Sequence, residues 1–509
     1  MKKRIEIFIC QIAIVGLFLI PIYSCKKDQT ILKKDPVITW ANPADISFGT
    51  FLSVTQLNAT TDATGTFVYT PASGTKLNEG ANQDLKVDFT PDDASFYNSA
   101  SKTVKINVTA LAATGIIFNQ QGPKIVGTGG GAESAQGSSV AISSDGNTAV
   151  VGGIYDNSQQ GAIWIYTRSA GVWSQQGTKL VGTSGVGNVY QGYSVAISSD
   201  GNTVIEGGWR DNNDIGAAWI FTRKDGIWKQ QGAKLVGSGA IGGQILQGTS
   251  VALSADGNIA LVGGSGDNGK GAVWIFTRSG DIWTQHGSKL VGTGGIGQTN
   301  QGTSLAISAD GNTFVTGGMV DNGYLGAIWV FTRIGNDWVQ QGPKLVGSDY
   351  TDASEQGWSV AISSDGNTVI SGGPGDFLNE GAAWVFTRSN GVWSQQGPIL
   401  YAEISTSPIM VGRSVAITPD GNTALVGSPG ANGSNGKVWV FTRSAGKWTK
   451  QSTPFIGTGA EGAARQGWSV AISSEGTFIE SGPYDNSGMG AVWFFQLDFI
   501  SRNYHLLKL

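Results

Sequence analysis

From about residue 117 to residue 497, apolar residues come in short runs cut by Gly, Asn, Asp and Ser, and the same succession of runs returns about every 55 residues. A clean copy spans residues 191–246. It opens QGYSVAISSDGNTVIEGG, crosses a polar loop, continues GAAWIFTR, and reads GIWKQQGAKLVG before a last variable loop. Asp145, Asp200, Asp256, Asp310, Asp365, Asp420 and Glu475, each followed by Gly, mark the register at intervals of 54 to 56 residues. Such a period is the mark of stacked supersecondary units. Alternation of β-branched and aromatic residues between turn formers predicts four strands per copy. In this copy they are A (193–198), B (203–207), C (217–222) and a longer D (227–236), with the tight turn Ser199-Asp200-Gly201-Asn202 between A and B. No copy has room for a helix of ordinary length, so the expectation is an all-β radial array of four-stranded blades.

The strand count suggests how the array ends. Strands A, B and C occur seven times, but no D strand follows the last C strand (491–496). A spare D-like segment, IFNQQGPKIV (117–126), precedes the first copy and matches WSQQGTKLV (173–181). An open array leaves unpaired edges. Placing the spare strand on the last blade closes a seven-bladed β-propeller, whereas a linear solenoid does not explain why the missing strand sits at the other terminus. The phrases QGxSVAISxDGNTxxxGG and GAxWxFTR resemble the FG-GAP repeat of bacterial surface proteins and of the integrin alpha propeller, over roughly residues 117–497. One departure is regular. Where the family has Phe-Gly, this chain has Gln136, Gln191, Gln247, Gln301, Gln356 and Gln466 before Gly, and Val411 in the sixth copy.

Strand C carries Trp164, Trp219, Trp274, Trp329, Trp384, Trp439 and Trp493, with apolar residues around each, so both of its faces are expected in the core. Arg168, Arg223, Arg278, Arg333, Arg388 and Arg443 follow strand C on the rim that also carries the Asp-Gly turns, which suggests a ring of Arg–carboxylate pairs.

The N-terminus has a different character. Lys2, Lys3 and Arg4 precede an apolar run (5–22) that ends Ile22-Tyr23-Ser24-Cys25. This is a signal-peptide pattern. Its end resembles a lipobox, and Cys25-Lys26-Lys27-Asp28 resembles lipoproteins of the Bacteroidetes type, which implies a lipid on Cys25, a leader of residues 1–24 and an outer-membrane lipoprotein of the bacterial cell envelope, facing the periplasm or the outside. Of the two cysteines cleavage leaves only Cys25 and acylation consumes it, so no disulfide is expected. A tether (25–36) is followed by residues 37–112, where Pro, Gly, Asn and Asp separate alternating runs at 65–69, 85–89 and 103–108. That pattern suggests a small β-sandwich. Ile38-Thr39-Trp40-Ala41-Asn42-Pro43, Tyr69-Thr70-Pro71 and Phe89-Thr90-Pro91 with Tyr97 resemble the immunoglobulin-like spacers of bacterial surface proteins. The propeller is assigned to residues 116–498 and a tail to 499–509.

The formal charge is −4, and losing three basic residues and Glu6 with the leader makes it −6, which excludes a basic field for nucleic acid. Function is expected on the rim of B–C and D–A loops, where the copies differ most. The ligand-binding candidates there are Tyr155, Tyr190, Trp209, Arg210, Asp211, Tyr324, Tyr350, Phe377 and Tyr484. Asp156, Asp211, Asp267, Asp321 and Asp485, each followed by Asn, read as turn residues. They could offer oxygens to calcium, but the family's calcium loop, alternating Asp before Gly in the A–B hairpin, is absent, and no cofactor or metal is expected. His286 stands for the second Gln of the repeated Gln-Gln-Gly, a structural substitution, and His505 is remote in sequence, so no catalytic residue is assigned. Two carboxylates break the pattern near the end of strand B, Glu206 and Glu480. They would serve a glycoside hydrolase or polysaccharide lyase only if held as a close pair. The expected function is a monomeric, membrane-anchored propeller that binds a protein or glycan without chemistry; glycan cleavage and a purely structural role in the envelope are the alternatives.

Overall fold

The computed structural model describes residues 6–11, 24–29, 32–47, 50–78, 80–109, 116–351, 353–401 and 408–499. The expected leader, the Cys25 side chain and the tail beyond 499 lie outside the described residues; of that N-terminal stretch the structure gives only an antiparallel backbone pairing of Glu6–Gln11 with Ser24–Gln29. Among the described residues no helix is long and apolar enough to cross a membrane. The chain divides into two compact units, Met1–Ala112 and Ala113–Leu509.

The second unit is all-β and propeller-like. It holds seven successive four-stranded antiparallel sheets. In the second sheet, strand A is Ser194–Ile197, B is Thr203–Gly208, C is Ala217–Lys224 and D is Ile227–Gln230. The seventh sheet completes itself with the segment upstream of the first copy: Ile116–Gln120 pairs antiparallel with Ala491–Phe499, and Ile125 bridges Val492. Each sheet is stitched to the next where the glycine before strand C meets the Gln (once Val411) before strand A, as Gly161 meets Gln191. The last such bridge, Gly490 to Gln136, returns to the first sheet and closes the ring. Only glycine fits there: a Cβ on Gly161, at φ +74°, would lie 2.1 Å from the Gln191 carbonyl oxygen.

The core follows the sequence pattern. The seven strand-C tryptophans are 0–4 % exposed. All but Trp439 pack beneath a glycine that follows strand D, and Trp219 Nε1 donates to the Thr183 carbonyl at 2.8 Å. The Gln before Gly at the start of strand A has a physical reason. The buried Gln191 amide accepts from the Gly182 N–H (2.6 Å) and donates to the Gly182 carbonyl (2.9 Å), which satisfies loop backbone that would otherwise be buried unpaired.

Two local expectations need correction. Strand D is not continuous over 227–236: it breaks after Gln230 at Gly232, φ +74°, and returns to the sheet at a single bridge between Leu235 and Ala218. The B–C loops turn tightly, as their Asp-Asn pairs suggest. Each described one holds a tight turn with left-handed residues, such as Asn212 (φ 52°, ψ 58°) and Asn213 (φ 56°, ψ 53°), a conformation that Asn and Gly tolerate well. The expected Arg–carboxylate pair is not a direct contact at Arg223. Arg223 donates to Asn202 Oδ1 (2.8 Å) of its own A–B turn and to Gln176 Oε1 (3.0 Å) and Thr148 Oγ1 (3.2 Å) of the preceding sheet. The Asp200 carboxylate is taken up by Ser198 and Asn202 within the turn. Trp228 Nε1 shares the Gln176 acceptor at 2.8 Å, so this cluster ties sheet to sheet through neutral groups. His286 occupies the equivalent of Gln176 and bonds the Asn336 carbonyl; Arg333 Nε, whose counterparts such as Arg223 Nε bond the Asn of their own A–B turn, is buried without a partner.

The first unit has its own core. Its main sheet runs Ile46–Ser47, Ala100–Thr109, Gly80–Pro91 and Gly65–Thr70, and Ile38–Thr39 pairs with Thr60–Thr61. Trp40, Leu52, Leu85, Val87, Phe89 and Ile106 are buried between them. The expected tether ends short of residue 36, because the Lys34 N–H donates to the Phe96 carbonyl at 2.8 Å and its ammonium pairs with Asp62.

Candidate functional site

Strand A lies innermost, and its side chains alternate. In QGxS, the serine reaches the neighbouring sheet: Ser139, Ser194 and Ser250 Oγ donate to the Gly192, Gly248 and Gly302 carbonyls at 2.7–2.9 Å. The residue before it therefore takes the opposite side. Around the ring that position reads Ser138, Tyr193, Thr249, Thr303, Trp358, Arg413 and Trp468, and all seven line one cavity of about 1100 Å³. The first residues of the B–C loops, including Tyr155, Trp209, Met319 and Tyr484, and the last of the D–A loops, including Glu133 and Arg465, extend its wall.

The wall is two-sided. Ser, Thr, Leu246 and Met319 supply the third and fourth sheets' part. The other sheets contribute an aromatic and cationic arc. Trp468 and Tyr484 meet edge to face at 5.4 Å, and Tyr193 and Tyr190 flank Trp209 at 5.6 and 5.8 Å. Arg413 lies over both Trp358 (4.9 Å) and Trp468 (4.1 Å), and Arg465 over Tyr484 (4.6 Å). These are cation–π distances. Burial pushes the Arg413 guanidinium below its ordinary pKa, and the Arg465 charge pushes the same way. Glu355 on the preceding loop feels the Arg413 charge, but burial raises its own pKa.

Of the residues expected from sequence, Tyr155, Trp209 and Tyr484 line the cavity. Tyr190 stands behind Trp209, and Arg210 covers both rings at 5.6 and 5.1 Å while pairing with Asp214. Tyr324, Tyr350 and Phe377 are 44–50 % exposed on outlying loops and do not contribute to the lining. Asp211 is not available to a ligand. It is buried, accepts from the Val186 N–H and pairs with Lys234 at 2.5 Å. Asp156, Asp267, Asp321 and Asp485 pair in the same way with Lys179, Lys289, Lys344 and Lys124. Their oxygens are thus engaged, and among the described residues no cluster of three His, Cys, Asp or Glu could hold a metal.

Sequence reasoning missed Tyr193, Trp358, Arg413, Arg465 and Trp468. The signal was present for all five, four at the one variable position between the fixed Gly and Ser and Arg465 just before QG, but Tyr193 was read only as the first residue of strand A. Glu206 and Glu480 are fully buried between strand neighbours and are absent from the lining, where Glu133 is the one carboxylate. They do not face a common solvent-filled space in which a glycosidic bond could lie.

No family model matches the chain, and no curated protein matches it. Among solved structures, the chain resembles a candidate 6-phosphogluconolactonase from Bacteroides uniformis (15 % identity, 73 % of this chain and 92 % of that chain, TM-score 0.46). It also resembles the hydrazine synthase of Kuenenia stuttgartiensis (12 % identity, 74 % and 97 % covered, TM-score 0.46). A functionally unknown protein from Desulfotomaculum acetoxidans is similar at 14 % identity, 74 % and 92 % coverage and a TM-score of 0.43.

Proposed function

We propose that the chain is a recognition protein of the bacterial envelope. In this reading a seven-bladed β-propeller of FG-GAP-like repeats binds a protein or glycan at its axial cavity without chemistry. An immunoglobulin-like module carries the ring, and a lipid on Cys25 anchors it to the outer membrane. The observation that carries the reading is the convergence of the positions that differ between copies. Residues with fixed identity, such as the strand-C tryptophans and the Gln before strand A, are spent on packing and backbone bonds. The residues that vary at one register, Tyr193, Trp358, Arg413 and Trp468, meet in one cavity. A rigid scaffold that concentrates its variable side chains in a concave site is the usual arrangement for binding.

The test is a binding screen of the chain without its leader against a glycan array and solubilised envelope proteins, with reducing-end release assayed on the same glycans. Binding that disappears in Trp209→Ala or Trp468→Ala and survives in Tyr324→Ala, with no release, is the expected result. Release of product would replace recognition by catalysis. Absence of any partner would favour a structural role.

A further inference from the structure

Among the described residues, the Arg413 side chain makes no hydrogen bond and no ion pair to the protein; its contacts are the two indole faces at 4.9 and 4.1 Å. Arg465 is in the same state, resting on Tyr484 with its donors unused. Elsewhere in the ring arginines are spent differently: Arg168, Arg223, Arg278 and Arg388 each bond Asn, Thr or Gln acceptors. Both guanidiniums line one cavity in which the lining supplies one carboxylate, Glu133, and the Arg413 charge is opposed by Arg465 and favoured by Glu355 on the preceding loop. Among the described residues neither guanidinium is held by a direct ion pair, so the donors of both are open to an anion. A planar carboxylate matches the fork of a guanidinium whose faces are already covered by aromatic rings.

The rest of the wall narrows the ligand. The indole and phenol faces of Trp358, Trp468, Tyr484, Tyr193 and Trp209 offer flat apolar surfaces. Between and opposite them stand small hydroxyl side chains, Ser138, Thr249 and Thr303. A pyranose ring is complementary to such a wall, since it presents a C–H face to an aromatic ring and hydroxyls at its edge. A cavity of about 1100 Å³ is large enough for several sugar units. Resting on the recognition reading above, we propose that the axial cavity binds a uronic-acid saccharide, with the carboxylate held by Arg413 and Arg465 and the sugar face packed on the Trp358–Trp468–Tyr484 arc.

The experiment is calorimetric titration of the full chain with tetrasaccharides of galacturonate, glucuronate and mannuronate, with their neutral methyl esters, and with tetraglutamate. At least one uronide should bind, and its methyl ester should bind about ten- to hundredfold more weakly, as expected for loss of charge-assisted hydrogen bonds. Arg413→Gln should reproduce that loss with an unchanged urea midpoint, and Arg413→Lys should recover part of it. Should Arg413→Gln lower the midpoint, Arg465→Gln at its loop position carries the same comparison. Equal affinity for acid and ester, binding of tetraglutamate without any uronide, or no uronide binding at millimolar concentration would each overturn the proposal. Neutral glycans or proteins binding in a Trp209-dependent manner would in those cases leave the broader recognition reading standing, whereas no partner of any class would sink both.

Discussion

Replacing Glu480 by Val should make the protein more stable at pH 8 and leave it nearly unchanged at pH 4.5. Glu480 faces Trp493 across the ladder, in the place that Val151, Val262 and Val426 fill in other sheets. Thr316 and Ser371 also stand there, and their hydroxyls accept from the Gly302 and Gly357 N–H groups at 2.9 and 3.0 Å. The Glu480 carboxyl is fully buried; Oε1 accepts from Gly457 N–H at 3.0 Å and Oε2 has no partner. Burial lifts its pKa from 4.5 to about 8. The folded chain therefore keeps this proton up to about pH 8, while the unfolded chain releases it near 4.5. Between those values the native state binds more protons, so stability falls as pH rises and levels off above the folded pKa.

At 1.36 kcal/mol per pKa unit the full span costs about 3–5 kcal/mol. Val removes that cost and leaves no orphan, because Gln466 Oε1 also accepts from Gly457 N–H. Urea midpoints of wild type and Glu480→Val, taken at intervals from pH 4.5 to 8.5, should diverge by about that amount at pH 8 and by under about 1 kcal/mol at pH 4.5. Glu206, whose pKa burial also raises, leaves a second slope in both proteins that Glu206→Val should remove. Midpoint curves that run parallel across the range would refute the reasoning, and so would a variant less stable at every pH.

Trp274→Ala should cost about 3–5 kcal/mol in urea unfolding, since the ring is fully buried; a loss below about 1 kcal/mol would contradict its place in the core. Gly237→Ala, whose Cβ would stand 2.0 Å from Trp274 Cδ1, should destabilise by about 1–3 kcal/mol through overpacking, measured in the same assay. Asp211→Ala strands the Lys234 ammonium and the Val186 N–H, and should cost about 3–5 kcal/mol of stability while leaving ligand affinity unchanged at a temperature where the variant is folded. A chain that begins at residue 127 loses the strand Ile116–Gln120 that completes the seventh sheet; it should aggregate on size-exclusion chromatography and lose near-ultraviolet dichroism, whereas one that begins at residue 113 should not.

The sequence by itself determined the repeating sheet, its strand order and the closure of the ring. Those depend on local pattern: a period of about 55 residues, alternation within each strand, Asp-Gly at a turn that needs positive φ, and a spare D strand with a vacant partner at the far end of the chain. It also placed the tryptophans in the core, because an apolar residue flanked by apolar residues on a strand has no solvent-facing alternative. It did not determine where strand D breaks, since Gly232 reads equally well inside a strand or at a kink. Nor did it separate loop residues that face the axis from those that face away. Tyr155 and Tyr324 look alike in sequence, yet only Tyr155 lines the cavity.

Asp211 stands beside Trp209 and Arg210 in sequence, but the turn aims its carboxylate inward to Lys234, which lies between the break in strand D and the Leu235 bridge. Tyr193, Trp358, Arg413 and Trp468 are scattered over nearly 300 residues of chain and become neighbours only because the ring brings one register position of every sheet to the axis. Local sequence fixes which face of its own strand a side chain takes; the closing of the ring decides which faces come together, because that depends on the contacts of every sheet with the next.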